Sequence, residues 1–189
     1  MKVLLHVCCA PCTIGSYEAL IEDGHEVTGY FYNPNIHPLI EFRRRKKAQK
    51  VLQERLPIRV IYEEDYGLRE YLEHVDWRGD VRCAGCYRLR LGRTARQAAD
   101  RGFGGFSTTL LGSGHQDHEL IAGVARECAR EAGTEFLYRD WRPLAEESHE
   151  RARSMNLYLQ NYCGCVFSEC ERFRDTSRHL YRGPGPRVD

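Results

Sequence analysis

Lys2-Val3-Leu4-Leu5-His6-Val7-Cys8-Cys9-Ala10-Pro11-Cys12 decides how the rest of the chain reads. A short apolar run of strand length ends in two adjacent cysteines. Pro11 then breaks the strand, and a third cysteine stands where a helix begins. A buried strand that carries thiols to its C-terminal end, beside a helix N-terminus, is how α/β proteins build reactive sites.

Outward from this stretch, strands and helices alternate. Helical spacing of Ile14, Tyr17, Leu20 and Ile21 predicts a helix over 13–23 with Gly24 after its end. Val27–Tyr32 reads as a second strand, followed by the turn-forming run Asn33-Pro34-Asn35-Ile36-His37-Pro38 and a long basic helix over 39–55 with Arg43-Arg44-Arg45-Lys46-Lys47 on its exposed side. Ile58–Tyr62 is a third strand, 66–74 a short helix, and Trp77-Arg78-Gly79-Asp80 a turn into Cys83-Ala84-Gly85-Cys86, which opens a helix over 87–101 closed by Gly102. Phe106–Leu111 reads as a fourth strand, 118–132 as a helix and Glu135–Tyr138 as a fifth strand. Together they predict an α/β fold with a doubly wound, mostly parallel sheet and a helical C-terminal part. The whole, 1–189, reads as a single domain: an α/β core over 1–140, a helical segment over 141–180 that carries Cys163-Gly164-Cys165, and a loose Gly/Pro tail over 181–189. No internal repeat is visible. Ligands in such folds sit at the carboxyl ends of the strands, where the first cysteines and the Gly112–His118 loop both fall.

The 189 residues suffice to bury roughly 70% of the unfolded surface without covalent staples. A net charge of +1 gives no global argument for nucleic acid, although Arg and Lys cluster at 43–47, 88–96, 151–153 and 172–178. No apolar run approaches the roughly 20 residues of a membrane span, and the N-terminus enters a strand at once rather than a signal peptide, so a cytoplasmic protein with no membrane partner is expected.

Nine cysteines are an odd count for a disulfide framework, and eight of them fall in three clusters, at 8, 9 and 12, at 83 and 86, and at 163, 165 and 170. Cys128, alone on a helix, reads as core. Adjacent Cα atoms lie about 3.8 Å apart, closer than the ~4.4–6.8 Å that disulfides prefer, so Cys8 and Cys9 suit metal better than each other. Joined to Cys83-x-x-Cys86 they make four thiolates, which fit structural zinc and an iron–sulfur cluster equally well. Cys163-Gly164-Cys165 has the profile of an easily reduced redox pair, with two further metal ligands or incidental thiols as the alternative. Cys170 has no evident partner.

Other signals are weaker. Gly112-Ser113-Gly114 before a helix suits phosphate and a tight turn alike. GxGxxG and Walker-type sequences are missing, which disfavours a nicotinamide-dependent reductase. His6 reads as a core histidine, while His37, His115 and His118, on loops or a helix start at the strand ends, are candidates to face a substrate, with a plain structural role as the alternative.

The motifs together carry a family resemblance. His6-Val7-Cys8-Cys9-Ala10-Pro11, Tyr32-Asn33-Pro34-Asn35-Ile36-His37-Pro38 and Cys83-x-x-Cys86-Tyr87-x-x-Arg90-Leu91 resemble the QueH family of epoxyqueuosine reductases. Phe106–Leu111, Gln116-x-His118 and Leu157-Tyr158-x-x-x-Tyr162-Cys163-Gly164-Cys165 match as well, in the family order, from residue 4 to about 170. The resemblance implies a HUP-class fold related to adenine nucleotide alpha-hydrolases, and an oxidoreductase that removes the epoxide oxygen of epoxyqueuosine at the tRNA wobble position, the last step of queuosine synthesis. It implies a [4Fe-4S] cluster on Cys8, Cys9, Cys83 and Cys86, and a redox-active disulfide between Cys163 and Cys165. Cys12 is a further candidate ligand, for one additional metal ion, where some relatives have a carboxylate. Gly114-His115 replaces an expected Pro-Tyr.

Turning an epoxide into an alkene consumes two electrons and two protons and releases water. A dithiol stores two electrons and a cluster passes them singly, fed by an external electron donor. The basic helices at 39–55 and 87–101 are candidates for tRNA phosphate contacts, and Tyr32, Trp77, Tyr87 and Tyr162 for base stacking. Two rivals are a zinc-stabilised, non-catalytic RNA-binding module and an ATP-dependent tRNA sulfurtransferase. The second would need a Ser-Gly-Gly-x-Asp-Ser phosphate loop where this chain has Cys-Cys-Ala-Pro-Cys.

Overall fold

The computed structural model describes residues 1–78 and 81–176. Val3, Leu4 and Leu5 are fully buried, and successive strand residues face opposite sides of a sheet, so the strand Lys2–His6 (β1) must be covered on both faces. It is joined by Glu26–Phe31 (β2), Arg59–Tyr62 (β3), Gly105–Thr108 (β4) and Glu135–Phe136 (β5) in a five-stranded, all-parallel sheet of order β3-β2-β1-β4-β5. The chain leaves β1 toward β2 and β3, then returns to lay β4 on the other side. The carboxyl ends of β1 and β4 therefore flank the switch point, where doubly wound sheets bind ligands.

Seven helices are described: α1 (Ala10–Glu22), α2 (Leu39–Gln53), α3 (Leu68–His74), α4 (Arg82–Asp100), α5 (His118–Ala132), α6 (Ala145–Ser154) and α7 (Val166–Phe173). Ala10 and Ile14 of α1, Ala48 and Leu52 of α2, and Ala152 of α6 share one apolar cluster with Leu157. The helices α4 and α5 pack on each other, and α4 on β1 and β4. The main core runs through all of β1, β2 and β4. No described helix is long and apolar enough to cross a membrane.

The structure moves several expected boundaries, each for a local reason. The helix α1 begins at Ala10, because Pro11 sits in its first turn, where an N–H has no intrahelical partner to lose. Likewise α4 begins at Arg82, so both Cys83 and Cys86 lie inside the helix rather than ahead of it. The expected strand Phe106–Leu111 ends at Thr108, whose hydroxyl accepts from the Leu110 amide at 3.2 Å and starts a 3-10 turn over Thr109–Gly112. Between α6 and α7 the chain is irregular rather than helical, starting from Asn156 at φ +54°. Arg45 is a correction: it is buried, 2% exposed, not on the exposed side of its helix, because its position faces the C-terminal segment instead of solvent. The expected turn at Gly79-Asp80 and the tail over 181–189 lie outside the described residues.

Candidate functional site

The end of β1 builds the first part of the site. The backbone turns at Cys9, which is extended (φ −154°, ψ 149°) and caps α1, and the turn brings the Cys8 and Cys9 sulfurs to 3.9 Å. From the end of β4, the Thr109 hydroxyl lies 3.3 Å from both the amide and the sulfur of Cys8. Gln160, remote in sequence, donates Nε2 to Cys9 Sγ at 3.0 Å and lies 3.9 Å from Cys12 Sγ. Hydrogen bonding to Cys9, then burial, pushes the Cys8 thiol well up; Cys9 is raised first by its contact with Cys12, against an opposing contact with Cys8. Arg90 near Cys8 and Arg45 near Cys9 oppose these shifts without cancelling them.

The second part comes from α4. Residues three and four apart share a helix face, so Cys83, Cys86 and Arg90 follow one another along one side. Cys83 is exposed and Cys86 buried, and burial raises the Cys86 thiol to about 11. Arg90 is 1% exposed. Its Nη2 donates to Asn33 Oδ1 at 3.0 Å, and Asn33 in turn donates to the Val7 carbonyl at 2.9 Å. Arg90 Nε and Nη1 are buried without a hydrogen-bond partner. Among the described residues, no carboxylate pairs with this cation. Burial works against its charge, but the surrounding thiols of Cys86, Cys8 and Cys163 hold its pKa above the ordinary value. Among the described residues, no three His, Cys, Asp or Glu side chains already converge closely enough to hold an ion.

The third part is Cys163-Gly164-Cys165. Arg45 of α2 donates Nη2 to the Tyr162 carbonyl and Nη1 to the Cys163 carbonyl, both at 2.9 Å. The His37 amide donates to the Gly164 carbonyl at 2.7 Å. Gly164 stands at φ +130°, and a Cβ there would meet Ile36 Cγ1 at 3.2 Å and Arg45 Nη1 at 3.3 Å, so both conformation and space require glycine. Cys165 caps α7, its sulfur accepting from the Ser168 amide at 3.4 Å, and it packs with Tyr71 and Cys86 in one buried cluster. The neighbouring Cys163 thiol, then the Ser168 hydroxyl and amide and the Tyr71 hydroxyl, favour the Cys165 thiolate and hold it down at about 5 against burial, while Cys163 is pushed up. One cysteine from each cluster, Cys8, Cys86 and Cys163, separated by more than seventy residues each, thus lies near Arg90.

The remaining expectations divide. His6 is a satisfied core histidine, with Nδ1 2.9 Å from Thr108 Oγ1 and Nε2 3.1 Å from the Tyr32 carbonyl. Cys128 is core on α5, as read, and Cys170 is exposed on α7. His37 is buried edge-on against Tyr66 and Tyr71. His118 is buried and His115 exposed. Of the stacking candidates, Tyr32 and Tyr87 belong to the main core, Trp77 is 51% exposed with Arg78 over its ring, and Tyr162 donates to the His37 carbonyl. The Gly112–His118 loop is tied to the site by Tyr87, whose hydroxyl donates to Gln116 Oε1 at 2.6 Å. Sequence reasoning missed Arg45, Gln160 and Thr109 and the placement of Arg90. Helical spacing signals Glu41–Arg45 and Cys86–Arg90; nothing in the sequence points Gln160 at Cys9.

A doubly wound parallel sheet whose first strand ends in two buried cysteines at the switch point defines an α/β protein with a thiol-bearing site. Within that class, the family model described as Epoxyqueuosine reductase QueH matches residues 3–171, and the chain belongs to this family of oxidoreductases. A relative from Dehalococcoides mccartyi is 42% identical, over 91% of this chain and 94% of its own. Others from Thermotoga maritima and Haemophilus influenzae are each 34% identical, over 90% and 88% of this chain and 91% and 71% of theirs. All three carry the name Epoxyqueuosine reductase QueH.

Proposed function

We propose that this chain reduces epoxyqueuosine in the tRNA anticodon to queuosine, with a [4Fe-4S] cluster on Cys8, Cys9, Cys83 and Cys86 and a redox-active dithiol at Cys163 and Cys165. The observation that carries this reading is Arg90: a fully buried cation with two unpartnered N–H-bearing nitrogens, no carboxylate, and thiols from all three clusters around it. A buried charge left in this state is costly. Thiolates of a cluster, which bring more negative charge than its core neutralises, are the anions this cation fits. The cluster supplies one-electron transfer when bound. Cys12, beside Cys9 and Gln160, is the further ligand for an additional metal ion.

This chain's own groups do the rest. Cys163 and Cys165 hold two electrons as a thiol–thiolate pair, with one proton on Cys163, and release them on closing to a disulfide, restored by an external electron donor. Gln160 keeps the first cysteine pair covered, and the Tyr87–Gln116 bond holds the loop at the mouth of the switch point. The test is anaerobic turnover. Chain with a reconstituted cluster, epoxyqueuosine-containing tRNA and a strong reductant should yield a nucleoside lighter by one oxygen, and Cys83→Ser or Cys86→Ser should abolish the conversion. A colourless preparation holding zinc, with no conversion, would overturn the reading in favour of an RNA-binding module.

A further inference from the structure

Arg45 and Glu41 form an ion pair inside the protein, 2% and 3% exposed, with Arg45 Nε 2.7 Å from Glu41 Oε1. A buried ion pair is a poor source of stability, since desolvation offsets most of its attraction. What it supplies is direction. Glu41 is one helical turn before Arg45 and fixes the rotation of the guanidinium. Its other oxygen, Oε2, accepts from the Tyr158 hydroxyl at 2.6 Å, so the carboxylate is itself held from the C-terminal segment. The free edge of the planar fork then meets two successive carbonyls, Tyr162 and Cys163, at 2.9 Å each, while the face lies 5.5 Å from the Tyr162 ring centre. Carbonyls at this spacing are what a guanidinium, and not an ammonium, can bridge. Beyond Cys163, the Gly164 carbonyl is taken by the His37 amide at 2.7 Å. Three consecutive carbonyls, 162 to 164, are thus pinned to the stretch 37–45, and the two thiols emerge from either side of the pinned glycine.

We propose that Arg45, oriented by Glu41, is a positioning residue for the Cys163–Cys165 couple, holding the loop so that the two sulfurs meet and the disulfide can close. This rests on the redox reading of that pair. Thiol–disulfide closure depends on the effective concentration of one sulfur at the other, and a loop pinned at three carbonyls keeps that concentration high. In the step concerned, the Cys163 thiol and the Cys165 thiolate form the protein S–S bond and give two electrons and one proton to an oxidised glutathione, whose own S–S bond breaks to two glutathione sulfurs, the second proton coming from solvent. Arg45 neither gains nor loses a proton in this step. Its hydrogen bonds to the loop go to backbone carbonyls, so its contribution is to geometry.

The test is the equilibrium constant for that exchange in the full chain, with and without reconstituted cluster. The chain is equilibrated anaerobically in glutathione buffers of varied ratio, and free thiols are trapped by alkylation and read by peptide mass spectrometry. Arg45→Met should lower the constant for the Cys163–Cys165 disulfide at least tenfold, about 30 mV for this two-electron couple. Arg45→Lys, which keeps the charge and loses the fork, should lower it less. Gly164→Ala keeps the Arg45 charge but sets a Cβ against its guanidinium, so it should displace the same loop, act in the same direction, and serve alone if Arg45→Met fails to fold. A constant within twofold of the parent's in the folded variants overturns the proposal and leaves Arg45 a structural residue. A parent chain that forms no Cys163–Cys165 disulfide in any buffer overturns the redox reading, and the proposal with it.

Discussion

Cys163 and Cys165 are one residue apart and chemically unequal. Cys165 caps a helix whose Ser168 amide and hydroxyl face its sulfur, and the Cys163 thiol lies beside it. A lowered pKa means the charged form is favoured in the fold, so the thiolate persists as pH falls until it passes about 5, below which the sulfur is protonated. In reduced, metal-free chain, alkylation of Cys165 by iodoacetamide should therefore stay near constant from pH 8 to about 6 and drop across about 5, while Cys163 stays slow. Cys163→Ala removes the neighbouring thiol and should move the Cys165 profile to higher pH; a single ordinary thiol profile for both residues would contradict this asymmetry. The sequence shows two cysteines around a glycine. Which one is the thiolate depends on Ser168 and Tyr71, and the second is nearly a hundred residues away.

At the scale of elements, the two basic helices turn out to differ. Most of the cations of α4 are spoken for: Arg82 by Glu171, Arg88 by Glu127 and Glu131, Arg93 by Glu63, and Arg90 by the interior. On α2, Arg43 and Lys47 are exposed with no carboxylate partner among the described residues, and Lys50 lies over the Tyr62 ring. They recur at i, i+4 and i+7 along about 10 Å of helix. This helix also carries Arg45, so its exposed cations and its brace on the 162–163 carbonyls are two sides of one element. Replacing Arg43, Lys47 and Lys50 by alanine should weaken tRNA binding at least tenfold at physiological salt and flatten its salt dependence by about 2 in slope, ~0.7 for each lost contact to a single strand. Arg88→Ala should leave both nearly unchanged. Filter binding across a salt series checks the pair; equal effects from the two helices would remove α2 from the interface. Amphipathic spacing marks both helices in the sequence, but only packing shows that one basic face is neutralised and the other is free.

For the whole molecule, the fold is a means of gathering thiols that the chain keeps far apart. The sheet sets β1 beside β4, α4 brings Cys86 and Arg90 beneath the strand ends, and the segment after α6 returns over them. Loading a cluster should then stabilise the entire chain, because ligands bound only by the native state add their binding energy to folding. Arg90→Met should shrink the stabilisation gained on loading by about 1.5–3 kcal/mol, the worth of a hydrogen bond to a charged group, while changing the metal-free protein less. Thermal denaturation of both forms measures it, and an undiminished gain would show that Arg90 does not face the thiolates. From sequence alone, the parallel sheet, the thiol-bearing end of β1 and the family were legible, because strand periodicity, turn residues and motif order are local properties of the chain. The 3-10 turn after β4, the burial of Arg45 and Arg90, and the meeting of Gln160 with Cys9 were not. Those depend on which distant surfaces press together, and a buried cation reads in sequence like any other arginine until packing removes its water.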